Sequence, residues 1–149
     1  MIRLVIASVL AATAAVGFVS VVSAQQQDPI AARRTIMKSL GEQAAIGAKM
    51  GRGEEPFTIE KARRVFATYQ RIAETHTLWP DTSKTGGETA ALPAIWENKA
   101  DFEARLAKTA ADAKAAEASV TDLESFKTQV TEVQKNCGGC HQTYRVRRS

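Results

Sequence analysis

The sequence predicts an all-α fold, an antiparallel up-down-up-down four-helix bundle, on three observations. Apolar residues recur at steps of three and four in four separate stretches. Capping or turn residues bound each stretch, and no alternating strand pattern competes with them.

Residues 1–24 stand apart and read as a cleaved secretory signal peptide. Arg3 is the only charge before Asp28, Leu4 to Val22 are apolar or small, and Val22-Ser23-Ala24 offers a small-residue cleavage site before Gln25. A run of this length nearly spans a bilayer, so a membrane anchor is the rival reading. Ala, Ser and Gly dilute the run and no Lys or Arg cluster follows it, which favours export and release. The expected product is a soluble periplasmic chain without stable membrane insertion, residues 25–149 forming one domain around one core. Loss of Arg3 lowers the formal net charge of +4 by one.

The first helix is predicted to open at Asp28-Pro29, a carboxylate cap followed by proline, and to stop near Gly51 to Gly53. Ile30, Met37, Leu40 and Ala44 share one of its faces. Thr58 caps the second, whose Ile59, Ala62, Phe66, Tyr69 and Ala73 repeat at helical steps before fraying near His76. An irregular stretch from Leu78 to about Pro93 carries Trp79-Pro80-Asp81 and Gly86-Gly87 and is expected to cross the bundle's end.

The third helix follows Pro93, with Ile95, Trp96, Phe102, Leu106, Ala110 and Ala113 inward. Thr121 and Glu124 have the spacing of a capping box for the fourth. There Leu123, Phe126, Val130, Val133, Cys137, Cys140 and Tyr144 form one seam, so both cysteines lie on the inward side. Lys and Arg alternate with Glu and Asp along the outer faces, which argues for solvated helices and against nucleic-acid binding.

Chemistry concentrates in Cys137-Gly138-Gly139-Cys140-His141, the spacing of covalent c-type haem attachment. On a helical turn the two thiols face one way and can reach two vinyl groups on one porphyrin edge, while the adjacent imidazole reaches the iron. A disulfide suits an exported chain but needs no histidine and is awkward within a helical turn. A thioredoxin-like dithiol belongs at a helix start after a strand. Zinc wants a fourth ligand, and the other histidine, His76, lies in a distant segment.

The motif's place at the end of a helical chain, Cys137-Gly-Gly-Cys-His141-Gln-Thr-Tyr144-Arg145, resembles class II c-type cytochromes, the cytochrome c-prime family. Leu92-Pro93-Ala94-Ile95-Trp96 and the pair Arg33 and Met37 support the resemblance, which spans residues 25–149. It implies one haem c held by Cys137 and Cys140, with His141 as proximal iron ligand. In the family the distal position lies four residues after an arginine of the first helix, here Met37 after Arg33, as in its low-spin methionine-ligated branch.

The alternative is that Met37 is a core side chain, as a methionine on an apolar helix face commonly is. That would leave a five-coordinate haem open to nitric oxide or carbon monoxide. Met50 is the reserve ligand, but it lies about 20 Å further along the helix.

Arg33 and Arg145 match family positions near the haem, where the resemblance implies a guanidinium that can pair with a propionate or polarise the pocket, although solvation at the surface suits Arg33 equally. Tyr144 is expected on the core, Trp96 as a pocket wall, Trp79 as a plug beneath the long loop and His76 as an exposed helix end. The tail Arg145-Val-Arg147-Arg148 can steer acidic redox partners toward the haem edge or be a frayed, solvated end. The expected role is electron carriage between redox proteins by a monomer or homodimer, not enzymatic turnover.

Overall fold

The computed structural model describes residues 28–147; the expected signal peptide, residues 1–24, lies outside them. Four long helices carry the fold: α1 (Pro29–Arg52), α2 (Ile59–Gln70), α4 (Lys99–Ser119) and α5 (Leu123–Tyr144), with a one-turn α3 (Ala94–Glu97) before α4. α1 packs on α2, α2 on α4 and α4 on α5, and α5 closes against α1. No helix among the described residues is long and apolar enough to cross a membrane.

The helix ends follow from local chemistry. The Asp28 carboxylate accepts the Ile30 N–H at 2.9 Å, with Pro29 in the first turn. Gly53, at φ 75°, turns α1 off by donating its N–H to the carbonyls of Lys49 and Met50. Thr58 caps α2 through the Lys61 N–H.

Three local expectations are corrected. α5 starts one residue late for a Thr121 cap, and its capping box pairs Asp122 with Ser125 rather than Thr121 with Glu124. The Asp122 carboxylate accepts the Ser125 N–H at 2.8 Å, and the Ser125 hydroxyl accepts the Asp122 N–H at 3.0 Å. Beyond Gln70 the second helix tightens into a 3-10 segment, Arg71–Thr77, whose three-residue period buries Ile72 and Thr75 and leaves Ala73 exposed. The third helix is broken at Asn98, whose ψ of 45° interrupts the ladder.

The core divides along the bundle. At one end Met50, Phe66, Val120, Phe126 and Val130 pack together, Phe66 meeting Phe126 edge to face at 5.6 Å. At the other, Ile72, Trp79, Ile95, Phe102 and Tyr144 form a second cluster, partly lined by Met37 and Cys140. A β-carbon at Gly47 would meet Phe126 at 3.3 Å, so that glycine lets α1 approach α5 closely. One at Gly41 would meet nothing within 4 Å, because towards Met37 the space beside the helix is a cavity.

Candidate haem site

The cavity has a volume of about 670 Å³, in the range of cofactor pockets. α1 contributes Met37, Leu40 and Ala44, and α5 contributes Cys137, Cys140 and His141. These are the residues that the motif and the helical seam single out. Phe102 and Leu106 of α4, with Ile72, make much of the remaining wall apolar.

Cys137 and Cys140 are half-buried and unpaired, on the cavity side of one helical turn. Burial pushes both thiols up from their ordinary values, so each is an S–H at neutral pH. Cys137 and Cys140 would thus be the residues to hold a haem through thioether links at its vinyl edge. His141 stands between the cavity and an outer groove that it lines with Gly138 and Arg145. Burial and then the Arg145 charge pull its imidazole below the usual range, keeping a neutral nitrogen lone pair available to a metal.

Two rival sites lose support. Met50 is fully buried in the other core cluster, and His76 is exposed with Nδ1 against the Ala73 carbonyl at 2.9 Å. Among the described residues no group of three His, Cys, Asp or Glu side chains is placed to hold a metal ion, which leaves zinc without a donor set.

Arg33 is not a solvated surface residue. It is 3% exposed, and its guanidinium lies 4.3 Å from the centre of the Trp79 ring. Nη1 donates to the Leu78 carbonyl at 3.0 Å and the Ser83 hydroxyl at 2.9 Å. Nη2 donates to the Ser83 carbonyl at 3.2 Å and the Thr89 hydroxyl at 3.0 Å. Both terminal nitrogens thus hold the long loop, leaving only Nε–H for a group in the cavity.

Burial pulls the Arg33 pKa down, with Asp28 opposing, and no described carboxylate lies within ion-pair distance of it. The Trp79 Nε1–H is likewise buried without an acceptor among the described residues. A buried cation without a counter-charge and an indole donor without a partner, both on residues of this wall, fit a cofactor that brings carboxylates. The two thiols and the imidazole fit its ring edge and its metal.

Trp79, not Trp96, lines the cavity; Trp96 backs it, donating its indole N–H to the Trp79 carbonyl at 3.1 Å. Sequence reasoning also missed Arg105. Its Nε donates to Asp101 at 2.7 Å, and the Tyr144 hydroxyl donates to the same carboxylate oxygen at 2.5 Å. This triad ties the end of α5 to α4 beside Cys140. The i, i+4 spacing of Asp101 and Arg105 is a local signal for an ion pair on α4, but Tyr144 reaches it only through tertiary packing. Arg145 is half-buried, lines the cavity, and has no ion pair among the described residues.

The family model for cytochrome c' matches residues 28–145. A cytochrome c' of Rhodopseudomonas palustris is 40% identical over 127 residues, 83% of this chain and 86% of that one. A cytochrome c-556 of Agrobacterium fabrum is 37% identical over 119 residues, 78% of this chain and 80% of the relative. The solved structure of the Rhodopseudomonas palustris cytochrome c' matches with a TM-score of 0.76 at 41% identity, covering 83% of this chain and 100% of that one. The match runs from the first helix through the CxxCH turn, and the chain belongs to the cytochrome c' family of class II c-type cytochromes, which hold one haem c covalently.

Proposed function

We propose that the protein is a periplasmic electron carrier in which Cys137 and Cys140 form the thioether links, His141 is the proximal iron ligand and Met37 the distal one. The carrying observation is that all four side chains line one cavity, contributed by two facing helices, while Met50 and His76 lie outside it. The haem, when bound, supplies a one-electron iron centre. Met37 offers a thioether that favours the ferrous state, and His141 offers a neutral imidazole. The apolar walls from Leu40, Ile72 and Phe102 exclude water, which favours the less charged reduced centre.

Arg145 and Arg147 line the groove outside His141, and among the described residues no carboxylate side chain shares that groove. In this reading they orient an acidic redox protein toward the same edge.

The visible spectrum of the haem-loaded protein tests the ligand set. A low-spin ferric haem with a methionine charge-transfer band is expected, with slow uptake of carbon monoxide by the ferrous form. Met37→Leu keeps the side-chain volume, so the fold is expected to change by less than about 1.5 kcal/mol. Its haem is expected to turn high-spin and to take up carbon monoxide at least ten times faster. Rapid uptake by the unmutated protein would instead assign a five-coordinate haem that binds nitric oxide or carbon monoxide.

A further inference from the structure

The loop that leads into α3 is fastened at both ends across the cavity. On the α1 side, the Thr89 hydroxyl accepts from Arg33 Nη2 at 3.0 Å, and Glu88 pairs with Arg34 at 2.7 Å. On the α5 side the fastening is backbone to backbone. The Val146 N–H donates to the Ala90 carbonyl at 2.8 Å, and the Leu92 N–H donates to the Tyr144 carbonyl at 3.0 Å, bracketing a bridge between Ala91 and Arg145. Glu88, Thr89, Ala90 and Ala91 all line the cavity between these fastenings.

Thr89 joins the two sides. Its hydroxyl oxygen also accepts the Ala91 N–H at 3.2 Å, so one atom connects the Arg33 side chain to the residue paired with Arg145. From Thr89 to Leu92 is three residues of chain, which spans about 10 Å at most. α1 and the end of α5 therefore cannot separate further at this level while both fastenings hold. Met37 follows Arg33 by one helical turn, and His141 precedes Tyr144 by less than one.

We propose that residues 88–92 are a strap that sets the spacing between the two segments carrying the axial side chains, and that Thr89 is its positioning residue. The inference rests on the reading of Met37 as distal ligand only for its optical consequence. A strap that loosens lets α1 move away from α5, and the Met37 side chain leaves the iron before the bundle unfolds.

Thr89→Val removes the hydroxyl and preserves the branched shape, while Thr89→Ser keeps the hydroxyl. In the haem-loaded protein the valine variant is expected to lose the methionine charge-transfer band on heating well before its far-UV circular dichroism melts. Its ferrous form is expected to take up carbon monoxide at least ten times faster than the unmutated protein, and the serine variant is expected to match the unmutated protein in both respects. The second readout is independent of ligation: hydrogen exchange of the Leu92 and Val146 amides, whose bonds the substitution does not touch, is expected to accelerate together by at least ten-fold in the valine variant.

Unchanged exchange at those amides overturns the strap, as does a serine variant that behaves like valine. If the unmutated protein lacks the methionine band while the two amides accelerate as expected, the strap stands and the Met37 assignment falls. If the band is present in all three proteins to the same temperature, the strap does not position Met37 and the proposal falls alone.

Discussion

Arg33 lies over Trp79, its guanidinium carbon 4.3 Å from the ring centroid, in a wall where both side chains are more than nine-tenths buried. The stack is desolvated, so the cation–π attraction is on the order of 2 kcal/mol. Four hydrogen bonds from the same group reach Leu78, Ser83 and Thr89. Arg33→Met removes the charge and all four donors while keeping an unbranched stem. Buried acceptors left unpaired cost about 1–3 kcal/mol each, partly recovered by water. The expected loss is about 2–4 kcal/mol, read as a lower urea midpoint with an unchanged slope. Arg33→Lys is expected to recover less than half, because an ammonium cannot present the planar fork that spans Ser83 and Thr89. A methionine variant with the unmutated midpoint would remove Arg33 as the holder of the loop.

Residues that answer to local rules were legible in the sequence. Asp28-Pro29 and Thr58 announced their helices because a cap is a relation between neighbours, and Cys137, Cys140 and His141 because their spacing is itself the chemistry. Ala73 was misplaced because the change from α to 3-10 winding after Gln70 is imposed by packing, and it shifts the buried seam to Ile72. The break at Asn98 and the choice of Trp79 over Trp96 as cavity wall depend on how the loop lies across the bundle. The Asp101, Arg105 and Tyr144 triad and the pairing of residues 90–92 with 144–146 join segments tens of residues apart, with no local pattern to betray them.

Two glycines of the helices are expected to respond in opposite directions. Gly47 faces Phe126 at contact distance, and the Phe126 ring is fully buried among Phe57 and Phe66. Gly47→Leu must push α1 off α5, an overpacking expected to lower stability by about 1–3 kcal/mol. Gly138 sits in the interior of α5, exposed, with open space where a β-carbon would stand. Gly138→Ala is expected to raise stability by about 0.5–1 kcal/mol through helix propensity alone, with covalent haem retained on denaturing gels. Chemical denaturation of both variants checks the pair; a stabilised Gly47→Leu would mean that the close approach of α1 and α5 is not set there.

The last expectation concerns acid. Hydrogen bonds from Tyr144 and then Arg105 hold the Asp101 carboxyl below its ordinary value, on a group that stays exposed. A carboxyl depressed in the folded state contributes stability above its unfolded pKa of about 3.9, and that contribution disappears as pH falls through the lower folded value. Asp101→Asn cannot titrate. The stability difference between the unmutated protein and this variant is therefore expected to be constant from pH 7 down to about 5 and to shrink steadily below about 4. Added salt is expected to reduce the neutral-pH difference, because the carboxylate and the Arg105 guanidinium meet in solvent. Urea titrations across this range measure it. A difference that stays constant down to pH 2 would show that the carboxylate's charge does no work in holding the end of α5, and that Tyr144 is satisfied equally by an amide oxygen.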